Sequence, residues 1–308
     1  MVSTPNMAVD FAGIRMSNPV NTASGTFGFG WQFESFQDVS RLGAITCKGC
    51  APVPWPGNPG SRMAETASGM LNSVGLANPG IRAFVKDNGA YLTRLSERGV
   101  AVICQVAGHS LDDYVRAVEL YEELAPFASG IEINISCPNV SEGGAAMGAT
   151  PSKAAEVMRA VRPRSARSLI VKMAPHDVSE VARALEAAGA DALSLVNTIP
   201  AMAIDVRTRR SRLSRPTAGL SGPAIHPIAV RMVWEAARAT SIPVCGIGGV
   251  TTGEEAAEFI LAGATAVGVG TVSLYDPAAA GRILDELTTW VASQGVDDVN
   301  DLIGAFEC

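Results

Sequence analysis

One pattern that occurs three times restricts the fold of this chain more than any other feature of the sequence. In each copy a glycine able to end a helix and a small residue precede an apolar run that ends in a polar residue, and the copies span 42–49, 188–197 and 262–271. Five further apolar runs begin near residues 20, 100, 130, 169 and 243. The chain therefore predicts eight buried strands, with helical segments between most of them.

Buried strands that alternate with helices are typical of parallel α/β proteins. Helices are predicted at about 32–41, 110–124, 152–163, 178–188, 225–239 and 253–262. Because the composition does not change along the 308 residues, we predict one domain over 1–308, a single (β/α)₈ TIM barrel. A doubly wound open sheet is the alternative, since strand patterning does not show whether a sheet closes.

Insertions after strands 2, 4 and 6 interrupt the regular spacing. The first occupies 50–99, the second includes 141–148, and the third occupies 199–224. In a barrel, the loops that follow the strands lie on the face that carries the active site. Long loops inside a compact domain usually carry function, so we expect these insertions to cover or line a site.

The composition argues against several classes of function. The net charge is −6 and no dense run of lysine or arginine occurs, so a nucleic-acid partner is not expected. Neither a signal-peptide pattern nor a membrane-length apolar window is present, which predicts a cytoplasmic protein. The six cysteines do not resemble a disulfide framework. Cys47 and Cys50 form one CxxC motif, which lacks the second pair of a zinc ribbon and the following helix of a thioredoxin site.

The fourth predicted strand, 130–136, ends beside a reactive group. Pro138 cannot donate a ladder hydrogen bond, so the strand is expected to end there and to leave Cys137 at its rim. With Asn134 nearby and the glycine-rich run 141–148 after it, the thiol could act as a base or nucleophile under a lid. The alternative is a core cysteine, because free cysteine is often buried.

Other polar residues and glycines are predicted at the carboxyl ends of strands, where the active sites of barrels lie. They are Ser24, Lys48, Gln105, Asn134, Lys172, Asn197, Thr198, Gly248, Gly249, Gly270 and Thr271. Lysines, amides and one thiol do not make a metal site, which would need carboxylates and imidazoles. His109, His176 and His226 lack partners at ligand spacing, which favours surface or capping roles.

Glycine-rich loops follow strands 7 and 8, at 246–253 and 268–271. Bare backbone amides can approach an anion closely, so the two loops predict a phosphate site, to which Gly222 could add an amide. A phosphate anchor beside lysines and amides suits FMN. Lys172 could lie at the electron-accepting end of the flavin ring system and stabilise its negative charge.

Lys48 and the asparagines Asn72, Asn134 and Asn197 could hold a small substrate that bears a carboxylate and ring amides. Two other interpretations of the lysines stay open. Either lysine could join an ion pair at the barrel mouth, or a barrel lysine could form a Schiff base as in an aldolase.

Five separated motifs resemble one protein family. They are 45–49 (ITCKG), 72–80 (NSVGLANPG), 134–139 (NISCPN), 219–225 (GLSGPAI) and 246–249 (GIGG). With these motifs in order over about residues 8–290, the chain resembles dihydroorotate dehydrogenase, most closely the class 1B catalytic subunit. Cys137 matches the soluble class 1 enzymes, whereas the membrane-associated class 2 enzymes have serine. The chain departs from the family at Gln105, where asparagine is expected, and at His226, where lysine is common.

The resemblance implies oxidation of (S)-dihydroorotate to orotate in de novo pyrimidine (UMP) biosynthesis, with FMN held in the barrel. It implies that Cys137, as the base, and Lys48 are catalytic. The implied flavin-binding residues are Ser24, Lys48, Gly49, Gln105, Asn134, Lys172, Val196, Gly222, Gly248, Gly249, Gly270 and Thr271. The implied substrate-binding residues are Lys48, Asn72, Ser73, Val74, Gly75, Leu76, Asn134, Asn197 and Thr198.

The resemblance also implies a route for the electrons. They would pass from FMN to a partner subunit that carries FAD and a 2Fe-2S cluster, and on to NAD, in a heterotetramer built on a homodimer of this chain. Two alternatives stay open. One is a pyrimidine-reducing flavoenzyme like the FMN domain of dihydropyrimidine dehydrogenase, and the other is class 1A-like oxidation of dihydroorotate linked to fumarate.

Overall fold

The computed structural model describes residues 4–136 and 148–307. Its strands are β1 Val9–Phe11, β2 Ile14–Met16, β3 Val20–Thr22, β4 Ala44–Thr46, β5 Met63–Thr66, β6 Gly69–Asn72, β7 Ala101–Val106, β8 Gly130–Asn134, β9 Ser168–Lys172, β10 Ala192–Leu195, β11 Ile199–Ala201, β12 Ile204–Asp205, β13 Arg210–Ser211, β14 Ala218–Ser221, β15 Val244–Ile247 and β16 Ala264–Val269. Its α-helices are α1 Ile81–Glu97, α2 Leu111–Leu124, α3 Pro151–Val161, α4 Val178–Ala187, α5 His226–Ala239, α6 Gly253–Leu261 and α7 Ala279–Ser293.

Eight of these strands form a parallel ring. Their order is β3, β16, β15, β10, β9, β8, β7 and β4. The ring closes between β3 and β4, where Gly43 N donates to Val20 O at 3.1 Å and Asn21 Nδ2 donates to Thr46 Oγ1 at 2.9 Å. The predicted (β/α)₈ barrel is confirmed, and the doubly wound alternative is wrong. Each barrel strand begins within two residues of its predicted start.

The barrel strands and helices follow from local sequence. Every residue of β7 and β8 is buried, including the polar side chains Gln105, Glu132 and Asn134, as expected for parallel strands covered on both faces. Capping boxes begin two helices: Ser110 with Asp113 before α2, and Thr252 with Glu255 before α6. Among the helices within 4–136 and 148–307, none has the length and apolar character that a membrane crossing requires.

Two local predictions are wrong. The helix predicted at 32–41 is replaced by two 3₁₀ helices, Trp31–Phe33 and Val39–Arg41. Asp38 accepts a hydrogen bond from Ser40 N at 3.0 Å, which begins a new turn instead of continuing the first. Gly43, predicted to end a helix, does not have a positive φ. It is required for space instead, because a Cβ there would lie 1.9 Å from Asn18 O.

The insertions after barrel strands β4 and β10 combine into one antiparallel sheet. Its strand order is β11, β14, β6, β5, so the third insertion pairs with the first through Leu220 and Leu71. Leu71, Leu213 and Ala218 form a small hydrophobic cluster in this region. The first insertion region also contains α1, which packs against the barrel strand β7. Most of the predicted insertion after β8 lies outside the described residues.

Candidate active site

A large cavity opens at the carboxyl ends of the barrel strands. Its empty volume is about 1130 Å³, a figure that includes the solvent at its open mouth. Seventeen of the predicted site residues line it, namely Ser24, Lys48, Asn72, Val74, Gly75, Leu76, Gln105, Asn134, Lys172, Val196, Asn197, Thr198, Gly222, Gly248, Gly249, Gly270 and Thr271. They come from the ends of all eight barrel strands and from the inserted sheet. Their individual roles stay predictions.

Two predicted site residues do not line the cavity. Gly49 lies just behind it, where its N–H donates to Ser24 Oγ at 3.2 Å. A Cβ at Gly49 would lie 2.4 Å from Gln105 Oε1, so this position leaves no room for a side chain. Ser73 is 1% exposed, and its hydroxyl accepts a hydrogen bond from Asn58 Nδ2 at 3.0 Å. The substrate contact predicted for Ser73 therefore has no support in this geometry.

Cys137 lies outside the described residues. The chain is firmly held up to the residue before it, because Ser136 is 2% exposed. Ser136 N and Oγ donate to Asn134 Oδ1 at 3.2 and 3.1 Å, and Asn197 Nδ2 donates to Ser136 Oγ at 2.8 Å. Two cavity asparagines therefore anchor the end of β8 at the cavity wall.

Lys172 is a buried cation in the cavity wall. It is 5% exposed and lies at the end of β9, opposite Asn134 in the strand register. Its ammonium group makes no hydrogen bond or salt bridge to any other residue within 4–136 and 148–307. Burying an unpaired charge is costly, so a ligand with hydrogen-bond acceptors or negative charge would suit this part of the cavity wall.

Glycines form a cradle at one end of the cavity. Gly222 and Gly249 have φ values of 94° and 73°, which favour glycine. A Cβ at Gly249 would lie 2.7 Å from Gly222 O, and a Cβ at Gly248 would lie 2.7 Å from Ala229 Cβ. The helix α5 begins next to this cradle at His226. Bare amides beside a helix N-terminus suit an anionic group such as a phosphate.

The structure corrects the prediction for His226. Surface or capping roles were expected, but the side chain is buried behind the glycine cradle. Its Nδ1 lies 2.8 Å from Gly248 O, and its Nε2 lies 2.8 Å from Glu258 Oε2. His226 therefore joins the cradle to the surface of α6. No spacing in the sequence distinguishes it from His176, whose side chain is 39% exposed.

A second residue that sequence reasoning missed is Glu132, in β8. It is 3% exposed, accepts a hydrogen bond from Gln105 Nε2, and accepts another from Ser194 Oγ at 2.6 Å. Gln105 Oε1 in turn accepts from Ser24 Oγ at 2.7 Å. The sequence did contain a signal for this residue, namely a charged side chain between the isoleucines of β8. A charged side chain in a buried barrel strand is expected to point into the barrel, where other polar groups can bind it.

The cysteines of the described chain lie in surroundings that favour the protonated thiol. Cys47, Cys50, Cys104 and Cys245 are free and buried. Burial raises the pKa of the Cys50 and Cys245 thiols to about 12. A thiol held in its protonated form is a poor nucleophile and metal ligand. Across 4–136 and 148–307, no three His, Cys, Asp or Glu side chains are placed to hold a metal ion.

Comparison with known proteins identifies the family. A model of the family described as dihydroorotate dehydrogenase matches residues 6–291. The chain belongs to this family. It is 48% identical over 305 residues to the dihydroorotate dehydrogenase B (NAD(+)) catalytic subunit of Geobacter sulfurreducens, covering 98% of this chain and 99% of the relative. It is 46% identical over 301 residues to the protein of the same name from Lachnoclostridium phytofermentans, covering 97% and 99%.

A solved structure supports the fold. The crystal structure of the Eimeria tenella dihydroorotate dehydrogenase, DHODH, in complex with ferulenol superposes with a TM-score of 0.83 at 22% identity. The match covers 97% of this chain and 88% of the other. At this identity the likeness concerns the barrel architecture, which agrees with the ring of eight parallel strands.

Proposed function

We propose that this chain is the catalytic subunit of an NAD-linked dihydroorotate dehydrogenase, which oxidises (S)-dihydroorotate to orotate in pyrimidine biosynthesis. The observation that carries the proposal is the cavity at the barrel mouth, which is lined both by a buried lysine, Lys172, and by the glycine cradle. The family and the names of the relatives support the same activity.

The cavity fits FMN in its chemistry. Gly222, Gly248, Gly249, Gly270 and Thr271 would hold the phosphate through backbone amides. The polar wall of the cavity would hold the ring system with Ser24, Lys48, Gln105, Asn134, Lys172 and Val196, and Gly49 would support Ser24 and Gln105 from behind. When bound, FMN supplies the two-electron acceptor that the oxidation requires. Lys172 would stabilise negative charge on the reduced ring.

The substrate would occupy the part of the cavity under the inserted sheet. Asn72 ends β6, and its amide lies 3.4 Å from Gly219 O in β14. Asn72, Val74, Gly75, Leu76 and Thr198 line the same cavity as the strand-end residues Lys48, Asn134 and Asn197. A lysine and several amides suit the carboxylate and the ring amide groups of dihydroorotate.

Cys137 would be the base that removes a proton from a ring carbon of dihydroorotate, while hydride leaves the neighbouring carbon. An ordinary thiol has a pKa of about 8.5, so its thiolate must be favoured by a nearby cation or by closure of the site. Support comes from Ser136, which is anchored to the cavity asparagines Asn134 and Asn197 immediately before this position. Lys48 would bind the substrate and help to stabilise developing charge.

The electrons would leave through a partner subunit that carries FAD and a 2Fe-2S cluster and reduces NAD. The relatives are named as catalytic subunits of NAD(+) enzymes. The sequence contains neither a four-cysteine cluster motif nor a dinucleotide-binding fingerprint. We propose that the chain forms one flavin-binding domain over 1–308 and a homodimeric core within a heterotetramer.

A spectroscopic experiment tests the proposed function. The purified chain is loaded with FMN and mixed with dihydroorotate in the absence of oxygen. The absorbance of the oxidised flavin should disappear, and one orotate should form for each flavin reduced. Reduction by dihydroorotate but reoxidation by fumarate instead of the partner subunit would point to class 1A-like chemistry. An inert flavin with dihydroorotate, or one that reduces uracil, would contradict the proposal.

A further inference from the structure

Glu132 is a buried carboxylate that forms no direct ion pair with the residues the structure describes. It lies in β8, where its strand neighbours in register are Gln105 and Ile170. No lysine, arginine or histidine of the described residues lies within salt-bridge distance of it. Burying a carboxylate costs free energy, so its hydrogen bonds are expected to serve a role in the fold or the site.

The carboxylate determines how the amide of Gln105 is turned. An ionised carboxylate only accepts hydrogen bonds, so Gln105 must direct its Nε2 toward Glu132. Its Oε1 then faces the other way, where Ser24 Oγ donates to it at 2.7 Å and Asn134 Nδ2 donates at 3.3 Å. Because the Ser24 hydrogen is used in this bond, its oxygen is left to accept from Gly49 N. The carboxylate therefore orients Gln105 and, through it, the Ser24 hydroxyl, and the bonds from Ser136 to Asn134 Oδ1 turn Asn134 Nδ2 toward the same Gln105 oxygen.

The same orientation decides what the wall offers to a ligand. Asn134 Oδ1 already accepts from Ser136 N and Ser136 Oγ. Asn134 can thus offer only the second hydrogen of its Nδ2 to the cavity, and Gln105 has only the second hydrogen of Nε2 left to donate. With the ammonium group of Lys172 beside them, this part of the wall presents N–H donors and no free amide oxygen.

We propose that Glu132 is a positioning residue that fixes the polar wall of the flavin cavity in a donor-presenting arrangement by acting through Gln105. This inference rests on the proposed binding of FMN in that cavity. The polar edge of the flavin ring system consists mainly of acceptors, the oxygens O2 and O4 and the nitrogens N1 and N5, with N3–H as its one donor, so a wall rich in donors matches it. Without the buried charge the Gln105 amide can turn over and place an acceptor against an acceptor, which is unfavourable.

A thermodynamic cycle on FMN affinity tests the proposal. Apoprotein is titrated with FMN, with flavin fluorescence as the readout, for the original chain, Glu132→Gln, Gln105→Leu and the double variant. Glu132→Gln keeps the shape of the side chain but removes the charge, and we expect about a tenfold loss of FMN affinity. In the Gln105→Leu background no amide remains to be oriented, so Glu132→Gln should add little to the loss. An equal loss in both backgrounds, or no loss in either, would overturn the proposal.

Ser194→Ala is the matched control, because Ser194 donates to the same carboxylate but does not line the cavity. It should leave FMN affinity within about twofold of the original chain, and a loss as large as that of Glu132→Gln would mean general damage to the barrel. The midpoint potential of bound FMN gives a second readout. Removing a buried negative charge beside the cavity stabilises the anionic reduced flavin, so Glu132→Gln should make the potential more positive. A potential that moves the other way would contradict the inference.

If Glu132→Gln does not fold, Glu132→Asp provides the same test. It keeps the charge but shortens the side chain by one methylene group, so it should weaken FMN binding while changing the potential less than Glu132→Gln would. Unchanged affinity in Glu132→Asp would overturn the proposal. If the original apoprotein does not bind FMN, or bound FMN is not reduced by dihydroorotate, the proposed function fails. If the original protein binds FMN and its FMN is reduced by dihydroorotate, but the variants bind FMN as tightly as the original protein, only the role of Glu132 fails.

Discussion

Replacing Gly249 with alanine should separate phosphate binding from folding. The residue has a φ of 73°, and the new Cβ would lie 2.7 Å from Gly222 O and 2.8 Å from His226 Cβ. The backbone conformation alone costs about 1–2 kcal/mol for a residue with a Cβ. Relieving contacts this short by shifting a packed loop costs about a further 1–3 kcal/mol. The shift moves the cradle amides out of position.

Gly295→Ala is the control for this prediction. Its φ of 71° nearly equals that of Gly249, but nothing lies within 4 Å of the added Cβ. Urea unfolding of the apoproteins should therefore show a loss of about 1–2 kcal/mol for Gly295→Ala and a larger loss for Gly249→Ala. FMN affinity should fall about 10- to 100-fold in Gly249→Ala only.

Riboflavin, which lacks the phosphate, identifies the site of the damage. Its affinity should be nearly the same in Gly249→Ala, in Gly295→Ala and in the original chain, because the cradle makes no contact with it. If Gly249→Ala bound FMN as tightly as Gly295→Ala, the assignment of the glycine cradle to the phosphate would be refuted.

Four further predictions follow from the same site and fold. Cys137→Ala should keep FMN but lower flavin reduction by dihydroorotate about 10²- to 10⁴-fold in stopped-flow absorbance, and full activity would contradict its role as base. Lys172→Met should weaken FMN binding or slow flavin reduction about 10- to 100-fold, and an unchanged reductive half-reaction would contradict its role. Burial raises the pKa of Cys50 and Cys245 to about 12, so iodoacetamide at pH 8 should not modify them in the folded protein, as peptide mass spectrometry would detect. Burial acts to raise the pKa of the Glu255 carboxyl, but hydrogen bonds at the start of α6 outweigh it and lower the pKa. The ionised carboxylate therefore stabilises the folded protein above about pH 4.3, and this contribution is lost as the pH falls. Glu255→Gln should therefore cost about 0.5–1 kcal/mol at pH 7 in urea unfolding, and a gap that did not narrow toward pH 3 would contradict the role of the charge.

The barrel could be predicted because its strands carry their own signal. Residues 130–136 have isoleucine at every second position and are followed by Pro138, and the strand β8 lies there. Strand ends then place Lys48, Gln105 and Lys172 at one mouth without any further information, since all the strands are parallel. Local patterns of this kind depend on residues that are close together in the chain.

The errors come from interactions that the sequence pattern does not contain. The segment 32–41 has helical spacing, but the Asp38 side chain competes for the backbone and divides it. The buried place of His226 depends on Gly248 and Glu258, which lie 22 and 32 residues away. The role of Glu132 likewise depends on Gln105, which lies opposite it where β7 pairs with β8.

The pairing of β6 with β14 makes the roof of the cavity a composite of two distant pieces of chain. Gly219 lies against Asn72, and Ser221 lies against Met70. Chimeras between members of the family must therefore exchange the insertions after β4 and β10 together. A chimera that took only one of the two insertions from a relative would pair strands whose edges do not match. Asn72 would then be misplaced, even though every residue of the barrel itself had been kept.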